Sequence, residues 1–256
     1  MEPIDVVAEM IVEANKVVVF TGAGFSTESE VPDFRSPGGV WDRFDPSELN
    51  YQNILRSEEI REKYWRMHRM MWETIREAKP NDGHHAVAEL HRLGKLDCVI
   101  TQNTDGLHQK AGVPAEMVLE LHGTMQTAYC LSCGKIFPRA DVHDMMLAGQ
   151  VVPKCDACGG ILKPSTIAFG QSMPERETRE SERRSASCDV FLAAGSSLVV
   201  YPAAQMPVIA KRGGARLVII NNTPTPHDHH ADVTIDEKTG ETFKKIVDRV
   251  KALLRK

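Results

Sequence analysis

The sequence predicts an α/β protein built on a doubly wound parallel sheet, and three observations indicate this class. Continuous apolar runs at 17–20, 96–100, 188–194 and 216–220 have the length and composition of buried strands. Helical patterns alternate with these runs along the chain. Each run ends in polar or small residues, and ligands bind at this carboxyl edge in open parallel sheets. We therefore predict one site shared by several strand ends.

Helical periodicity is the second regular signal. The predicted helices cover residues 4–14, 57–79, the stretch after Asn81, 202–212 and 241–256. Asn81 follows a proline and can cap the helix that carries Val87, Leu90 and Leu93. The helix at 57–79 is crowded with aromatic and methionine side chains, which we interpret as core packing rather than as a substrate wall.

Two segments interrupt the alternation of strands and helices. Residues 31–46 are rich in Pro, Gly and Asp and predict a long loop, which in a compact domain is usually functional or disordered. Between about Tyr129 and Lys163 the pattern changes to short segments punctuated by Cys and Gly. We interpret this stretch as an inserted module.

The composition is that of an ordinary globular protein. The chain has 256 residues, 42% hydrophobic and 26% charged, with a formal net charge of −4, so no global basic field favours nucleic acid as a partner. No apolar run is long enough to span a membrane, and the amino-terminal residues lack the pattern of a signal peptide. We expect a cytoplasmic protein with no membrane partner.

Four of the six cysteines form two Cys-x-x-Cys pairs separated by 21 residues, Cys130 with Cys133 and Cys155 with Cys158. In a reducing compartment this spacing predicts one tetrahedral zinc rather than disulfides. With four thiolate ligands no coordination position stays open, so the zinc is expected to be structural. Cys98 and Cys188 lie in or beside apolar strands and are predicted to be core residues.

Gly22-Ala23-Gly24 follows the first strand, and its backbone N–H groups are expected to cradle a pyrophosphate, with Ser26 and Thr27 helping to start a helix. The motif is weak by itself, because Thr27 stands where the usual dinucleotide fingerprint has a third glycine.

Histidines supply a further hypothesis. His122 follows the apolar pair Val118-Leu119 and precedes Gly123, and a neutral imidazole near pH 7 can take a proton from a hydroxyl. His68, His91 and His143 are interpreted as ordinary surface or core residues. The cluster His227, His229 and His230 lies in a loop beside two aspartates, and we expect polar contacts there rather than a metal.

Several motifs, taken together and in order, resemble the sirtuin family of NAD-dependent protein-lysine deacylases. They are Gly22-Ala23-Gly24-Phe25-Ser26, Pro32-Asp33-Phe34-Arg35, Thr101-Gln102-Asn103-Thr104-Asp105-Gly106-Leu107-His108-Gln109, Leu121-His122-Gly123, the cysteine quartet and Gly195-Ser196-Ser197-Leu198-Val199-Val200-Tyr201-Pro202. The resemblance covers nearly the whole chain and is closest to a prokaryotic-type single catalytic domain. It implies a Rossmann-like large domain at about 1–34, 80–127 and 164–256, with a small domain formed by a helical part at 35–79 and a zinc ribbon at 128–163.

The resemblance also implies the site residues. The NAD contacts would come from Gly22, Ala23, Gly24, Thr27, Asp33, Phe34, Arg35, Gln102, Asn103, Thr104, Asp105, His122, Gly195, Ser196, Ser197, Asn221, Asn222 and Thr239. The substrate peptide would add a strand between Ile167, Ala168, Phe169 and Gly170 on one side and Val199, Val200 and Tyr201 on the other. NAD would be consumed as co-substrate, and proteins bearing acyl-lysine would be the partners.

The implied chemistry suits these residue types. Asn103 and Asp105 would hold the nicotinamide carboxamide and orient the glycosidic bond, so the carbonyl oxygen of the acyl-lysine can attack the ribose carbon as nicotinamide leaves. His122 would then act as general base on a ribose hydroxyl. The products would be deacylated lysine, nicotinamide and O-acyl-ADP-ribose.

Some residues depart from the family pattern. Gln171 replaces an acidic residue, Ser165-Thr166 replaces an Asp/Asn-Val pair, Glu30 replaces a common glycine, and Thr104 replaces an aliphatic residue. Counting back from Pro80-Asn81, Trp65 and His68 fall where succinyl-preferring members carry a Tyr-x-x-Arg clamp, so neutral acyl groups are expected. Residues 225–232 resemble the nuclear, chromatin-directed branch.

Other functions are consistent with parts of the pattern. Mono-ADP-ribosyl transfer to protein would use the same cleavage of NAD with a different nucleophile. A non-catalytic NAD-sensing module is disfavoured because it has no use for a base such as His122. A hydride-transferring dehydrogenase is disfavoured by the incomplete glycine fingerprint.

Overall fold

The computed structural model describes residues 2–255 and has a six-stranded parallel sheet at its centre. The strands are β1 (Val17–Thr21), β2 (Leu96–Thr101), β3 (Val118–Glu120), β7 (Val190–Ala194), β8 (Arg216–Ile220) and β9 (Val233–Ile235). Their order across the sheet is β3-β2-β1-β7-β8-β9, and every neighbouring pair is parallel. The chain therefore leaves β1 on one side and returns to it from the other, which creates a topological switch point between β1 and β7.

Helices cover both faces of this sheet, which confirms the doubly wound class. They are α1 (Pro3–Glu13), α4 (Asp82–Arg92) and α9 (Thr239–Leu254) on one face, with α7 (Glu175–Ser187) and α8 (Met206–Arg212) on the other. Successive residues of β1 point to opposite faces, so Val17 and Val19 pack in one core and Val18 and Phe20 in the other. Burial on both faces explains why the central strands are continuously apolar.

A second, antiparallel sheet carries the inserted module. It consists of β4 (Gly123–Cys130), β5 (Ile136–Pro138) and β6 (Leu162–Thr166) in the order β5-β4-β6. Helix α6 (Arg139–Leu147) packs on it. The helical segment before α4 contains α2 (Tyr51–Arg56) and α3 (Glu58–Glu77), and the short helix α5 (Leu107–Lys110) follows β2. The division of the chain into a large and a small domain at the stated boundaries stays a prediction.

Local capping confirms two of the predicted helix starts. The Asn81 side chain accepts hydrogen bonds from the amides of Gly83 and His84, and the His84 side chain reaches back to the Asn81 amide. Ser57 accepts from the amide of Ile60 and begins α3. Each cap satisfies amides that have no partner within the helix.

The structure differs from the sequence prediction after β1. No α-helix begins at Ser26 and Thr27, because two short 3₁₀ turns, Ala23–Phe25 and Thr27–Ser29, take its place. Glu30 then adopts a left-handed conformation with φ of 63° and ends the second turn. This backbone explains why a glycine is usual at that position.

Three regular elements carried too little signal to be predicted. Helix α7 is almost entirely polar, and the buried residues on it are serines, Ser181 and Ser185, so it has no apolar stripe. Strands β3 and β9 have three residues each, which is too short for a periodic pattern. The segment at 202–212 forms a 3₁₀ turn, Ala203–Gln205, before α8 begins.

None of the helices described within residues 2–255 combines the length and the apolar composition of a membrane-spanning segment.

Gly195 tests how tightly the switch point is packed. Its φ is +62°, and an added Cβ would lie 2.6 Å from the carbonyl carbon of Gly24 and in collision with the Phe25 amide nitrogen. We expect Gly195→Ala to lower the free energy of unfolding by about 3 kcal/mol, measured by chemical denaturation. Gly214 is the matched control because it has a φ of +93° and open space around it. Gly214→Ala should cost only about 1 kcal/mol, and equal losses in the two variants would contradict this packing.

Candidate active site

A cavity of about 910 Å³ lies over the switch point, at the carboxyl ends of β1, β2, β7 and β8. Its volume is in the range of cofactor and substrate sites. Most of the residues implied as ligands by the sequence line it. They are Gly22, Ala23, Gly24, Asp33, Phe34, Arg35, Gln102, Asn103, Thr104, Asp105, His122, Ile167, Ala168, Phe169, Gly170, Gly195, Ser196, Ser197, Val200, Tyr201, Asn221 and Asn222.

Three of the implied residues lie outside the cavity wall. The hydroxyls of Thr27 and Thr239 both donate to the carbonyl of Gly24, at 3.0 and 3.3 Å. They therefore brace the glycine turn from behind and leave the cavity to other side chains. Val199 is 46% exposed beside Val200 at the mouth.

The glycine turn is fixed by hydrogen bonds to the neighbouring strand ends. The amide of Gly22 donates to Ala194 and that of Gly24 to Gly195, at 3.1 and 2.9 Å. These two amides are thus already occupied, contrary to the expectation that the whole turn would offer N–H groups. Among residues 2–255, the Ala23 amide has no protein acceptor, so it is the amide of this turn that is left for an anion.

A buried polar pocket forms where the turn meets the end of β2. The Asp105 carboxylate accepts from the Ser26 hydroxyl at 2.8 Å and from the Leu107 amide at 2.9 Å. The Asn103 side-chain amide donates to the Gly22 carbonyl at 3.0 Å and to the Ser26 hydroxyl at 3.1 Å. Burial raises the pKa of Asp105 above its usual range, although these donors oppose the shift.

Ser26 lines the cavity, and the sequence interpretation did not include it among the site residues. It was assigned only to a helix start, yet its hydroxyl joins Asn103 to Asp105. The signal that could have found it is its place two residues after Gly24, in the polar segment that follows the first strand. Ser26 is 1% exposed.

A second buried network supports Asn103 from below. The Thr21 hydroxyl donates to the Thr101 hydroxyl at 2.9 Å, and the Thr101 hydroxyl also accepts from the backbone amide of Asn103 at 3.0 Å. His108 Nε2 lies 3.0 Å from the Thr21 oxygen. Burial lowers the pKa of His108 to about 3, so this imidazole is neutral. Because the Thr21 hydroxyl already donates its proton to Thr101, the Thr21 oxygen accepts from His108 Nε2.

His122 has the orientation that a general base needs. Its Nδ1 lies 3.1 Å from the Gln102 carbonyl, which can only accept, so Nδ1 carries the proton and Nε2 is the basic nitrogen. Burial, and then the charge of Arg35, lower the pKa of His122 below its usual value of 6.5. The imidazole is therefore neutral at pH 7. The His122 carbonyl also accepts from the Ile167 amide at 2.8 Å and ties the peptide-edge segment to the site.

The long loop at 31–46 folds over one end of the cavity. Asp33 organises it by accepting from the amides of Arg35 and Ser36 at 2.9 and 2.7 Å and from the Ser36 hydroxyl. Burial raises the pKa of Asp33, but these hydrogen bonds outweigh burial and lower it overall. The ring centroids of Phe34 and Trp41 lie 5.0 Å apart, and those of Trp41 and Phe169 lie 5.9 Å apart.

One face of α3 forms the apolar end of the cavity, which corrects the interpretation of its aromatic and methionine residues as core alone. The residues of α3 on this wall are Tyr64, Met67, His68, Met71 and Ile75. Trp65 faces away and packs with Phe137 and Val142 in the module. Of the two positions counted as matching the Tyr-x-x-Arg clamp, only His68 therefore reaches the wall. No α3 residue on this wall is Arg or Lys.

The four cysteines of the module meet at one point. Their sulfurs all lie within 4.8 Å of one another, with 3.5 Å between Cys130 and Cys158 and 3.7 Å between Cys133 and Cys155. None is in a disulfide. Zn–S bonds of 2.3 Å at tetrahedral angles require sulfurs about 3.8 Å apart, so the quartet fits a structural zinc. Cys98 and Cys188 are buried in the core, as predicted.

The histidine cluster near residue 228 makes polar contacts. His227 Nε2 lies 3.5 Å from the Tyr201 hydroxyl, and Asp228 accepts from the amide and hydroxyl of Thr225. Across residues 2–255, the cysteine quartet is the one group of side chains with the geometry of a metal site.

Comparisons with known proteins agree on one family. A model described as "Sir2 family" matches residues 22–202. The chain is 47% identical over 235 residues to a protein of Bradyrhizobium diazoefficiens named NAD-dependent protein deacetylase 1, covering 92% of this chain and 91% of that protein. It is 41% identical over 251 residues to a protein of Thermodesulfovibrio yellowstonii named NAD-dependent protein deacetylase, covering 98% and 96%.

A solved structure shares the fold over nearly the whole length. The complex described as "Sir2-p53 peptide-NAD+" superposes with a TM-score of 0.86 at 34% identity, covering 95% of this chain and 97% of that one.

Loss of zinc should unfold the module without removing a reacting group. We expect Cys155→Ser to lower the bound metal from about one zinc ion per chain to a small fraction and to reduce Tm, measured by elemental analysis and calorimetry. Ser132→Ala is the matched control in the first knuckle, because Ser132 hydrogen-bonds to Cys130 Sγ through its backbone amide, at 3.4 Å, and the variant keeps this amide. A Cys155→Ser variant with full zinc content and unchanged Tm would contradict the quartet as a zinc site.

Proposed function

Because the chain belongs to the Sir2 family, we propose that its cleft holds NAD and an acyl-lysine against one base, His122, with the roles given below. The chain is an NAD-dependent protein-lysine deacylase that transfers the acyl group to ADP-ribose and releases nicotinamide. The observation that carries the assignment of roles is the convergence of four strand ends and His122 on one cavity. Such convergence at a switch point is how α/β folds assemble a site.

The adenosine and phosphate half of NAD is assigned to the β1, β7 and β8 ends. The free Ala23 amide and Arg35 support the pyrophosphate, and Gly24 is held in place by Thr27 and Thr239. Ser196, Ser197 and Asn221 line the adjacent wall and take the adenosine. Gln102 donates to Ser196 at 2.7 Å, which links the two halves of the cleft.

The nicotinamide half is assigned to Asn103 and Asp105. Since the Asn103 NH₂ group donates to protein acceptors, its oxygen is left to accept from the carboxamide N–H. Ser26 is a positioning residue here because it orients both Asn103 and Asp105. Thr104 lines the same pocket with a hydroxyl in place of the usual aliphatic group.

The reaction then follows from this arrangement. With the carboxamide held, the acyl-lysine carbonyl oxygen attacks the ribose carbon while nicotinamide leaves. His122 Nε2 takes the proton of a ribose hydroxyl, which attacks the acyl carbon. Water completes release of lysine and O-acyl-ADP-ribose.

The substrate peptide is assigned to the two edges at the cavity mouth. Phe169, Val199 and Tyr201 are large exposed apolar side chains there. A peptide that adds between two such edges binds through main-chain hydrogen bonds. Gln171 braces one edge, because it accepts from the Ala168 amide and donates to the Tyr129 hydroxyl, both at 3.2 Å. Gln171, which stands where the family usually has an acidic residue, thus holds the loop at Ala168 in place.

The reaction products distinguish deacylation from its alternative, mono-ADP-ribosyl transfer to protein. We expect incubation with NAD and an acetyl-lysine peptide to yield nicotinamide and O-acetyl-ADP-ribose in equal amounts, followed by mass spectrometry. ADP-ribose attached to protein, with no acetylated ADP-ribose, would indicate ADP-ribosyl transfer instead. The names of the relatives favour deacylation.

His122→Ala should lower kcat by about 10²–10⁴-fold and leave the fold intact, as expected for loss of a general base. The buried imidazole has a lowered pKa, so the active neutral form persists as pH falls to 6.5. The acid limb of kcat/KM in the wild-type protein should therefore lie below pH 6.5. A limb above 6.5, or a His122→Ala variant with full activity, would remove His122 from this role.

A further inference from the structure

The apolar end of the cavity contains one unexplained polar group, the imidazole of His68. This end of the cavity is lined mainly by apolar side chains, including Met67, Met71 and Leu49, and by the ring of Tyr64. His68 is 4% exposed, so it is more than nine-tenths buried. None of the steps assigned above uses it.

The hydrogen bonding of His68 fixes which nitrogen is free. Nδ1 lies 3.0 Å from the thioether sulfur of Met125, which can accept but not donate. The proton therefore sits on Nδ1, and Nε2 carries a lone pair. Among residues 2–255 no protein group bonds to this Nε2.

Its surroundings keep the ring neutral. Burial, and then the positive charges of Lys163 and Arg139, lower the pKa of His68 well below 6.5. Arg139 donates to the His68 carbonyl at 3.2 Å, and the Tyr64 ring packs 4.3 Å from the imidazole. Within the described chain, the side chains of Lys163 and Arg139 donate to backbone carbonyls and not to a carboxylate that could offset this charge. Nε2 thus remains a hydrogen-bond acceptor across the neutral pH range.

An unpaired acceptor in an apolar wall selects for a ligand that brings a donor. A plain acyl chain would leave Nε2 buried without a partner, and an acyl carboxylate would face its lone pair. A hydroxyl on the acyl chain would donate to Nε2. We propose that His68 is a specificity-determining residue that makes this protein prefer hydroxyacyl-lysine over the corresponding unsubstituted acyl-lysine. The inference rests on the proposed deacylase function, since the chain must first remove acyl groups.

The test compares matched acyl chains on one peptide. We expect kcat/KM for the best of the 2-, 3- and 4-hydroxybutyryl-lysine peptides to exceed that for butyryl-lysine by about tenfold in the wild-type protein. In His68→Leu the ratio of hydroxybutyryl to butyryl should fall to about one, because leucine fills the site without an acceptor.

His143→Leu is the matched control. His143 is also a buried histidine, on α6, and it does not line the cavity, so its replacement should keep the wild-type ratio. A wild-type protein without preference for any hydroxybutyryl peptide, or a His68→Leu variant that retains the preference, would overturn the inference. Failure to turn over acetyl-lysine at all would instead overturn the proposed function.

A measurement on the wild-type protein covers the case in which His68→Leu does not fold. With ¹⁵N-labelled histidine, the Nε2 resonance of His68 should shift when the preferred hydroxybutyryl peptide binds and stay in place with butyryl peptide. An identical response to both peptides would contradict a hydrogen bond to Nε2.

Discussion

The close approach of the β1 and β7 strand ends is the constraint on which the rest of the site depends. Gly22 and Gly195 meet with no space for a side chain between them, since an added Cβ on Gly22 would lie 2.7 Å from the Gly195 carbonyl. This contact places the glycine turn, Ser196 and the end of β2 around one cavity. A larger separation would break the hydrogen bond from the Gly24 amide to the Gly195 carbonyl, and this wall of the cleft would no longer form.

Buried polar side chains then give that cavity its chemistry. One series of hydrogen bonds joins His108, Thr21 and Thr101 to the backbone amide of Asn103. A second series joins the side-chain amide of Asn103 through the Ser26 hydroxyl to Asp105. Each group is desolvated, so its hydrogen bonds determine its orientation, and an unmade bond would be costly. The same desolvation keeps His108, His122 and His68 neutral. Desolvation thereby keeps His122 available as a base and His68 available as a hydrogen-bond acceptor.

Much of the fold and the chemistry could be predicted from local sequence. The apolar runs predicted four strands of the central sheet, since strands buried on both faces need no alternation. The cysteine spacing predicted the cluster that the structure assembles. Helix α7 cannot be predicted from periodicity because its buried residues are serines. Periodicity predicts the Met-rich face of α3 to be core, because it cannot distinguish a side chain packed in the core from one that lines a cavity. Roles for Thr27 and Thr239 as braces could not be read from sequence, because they depend on sharing one carbonyl across more than 200 residues.

The sequence by itself determined which chemistry is available: a base, an amide, a carboxylate, four thiolates and the turns that end the strands. Only the tertiary structure decided which of these groups meet, which nitrogens of His122 and His68 are free, and which backbone amides remain unoccupied. The reason is physical. Residue type and spacing set local conformation, whereas hydrogen-bond partners and desolvation depend on segments that are distant along the chain and close only after folding.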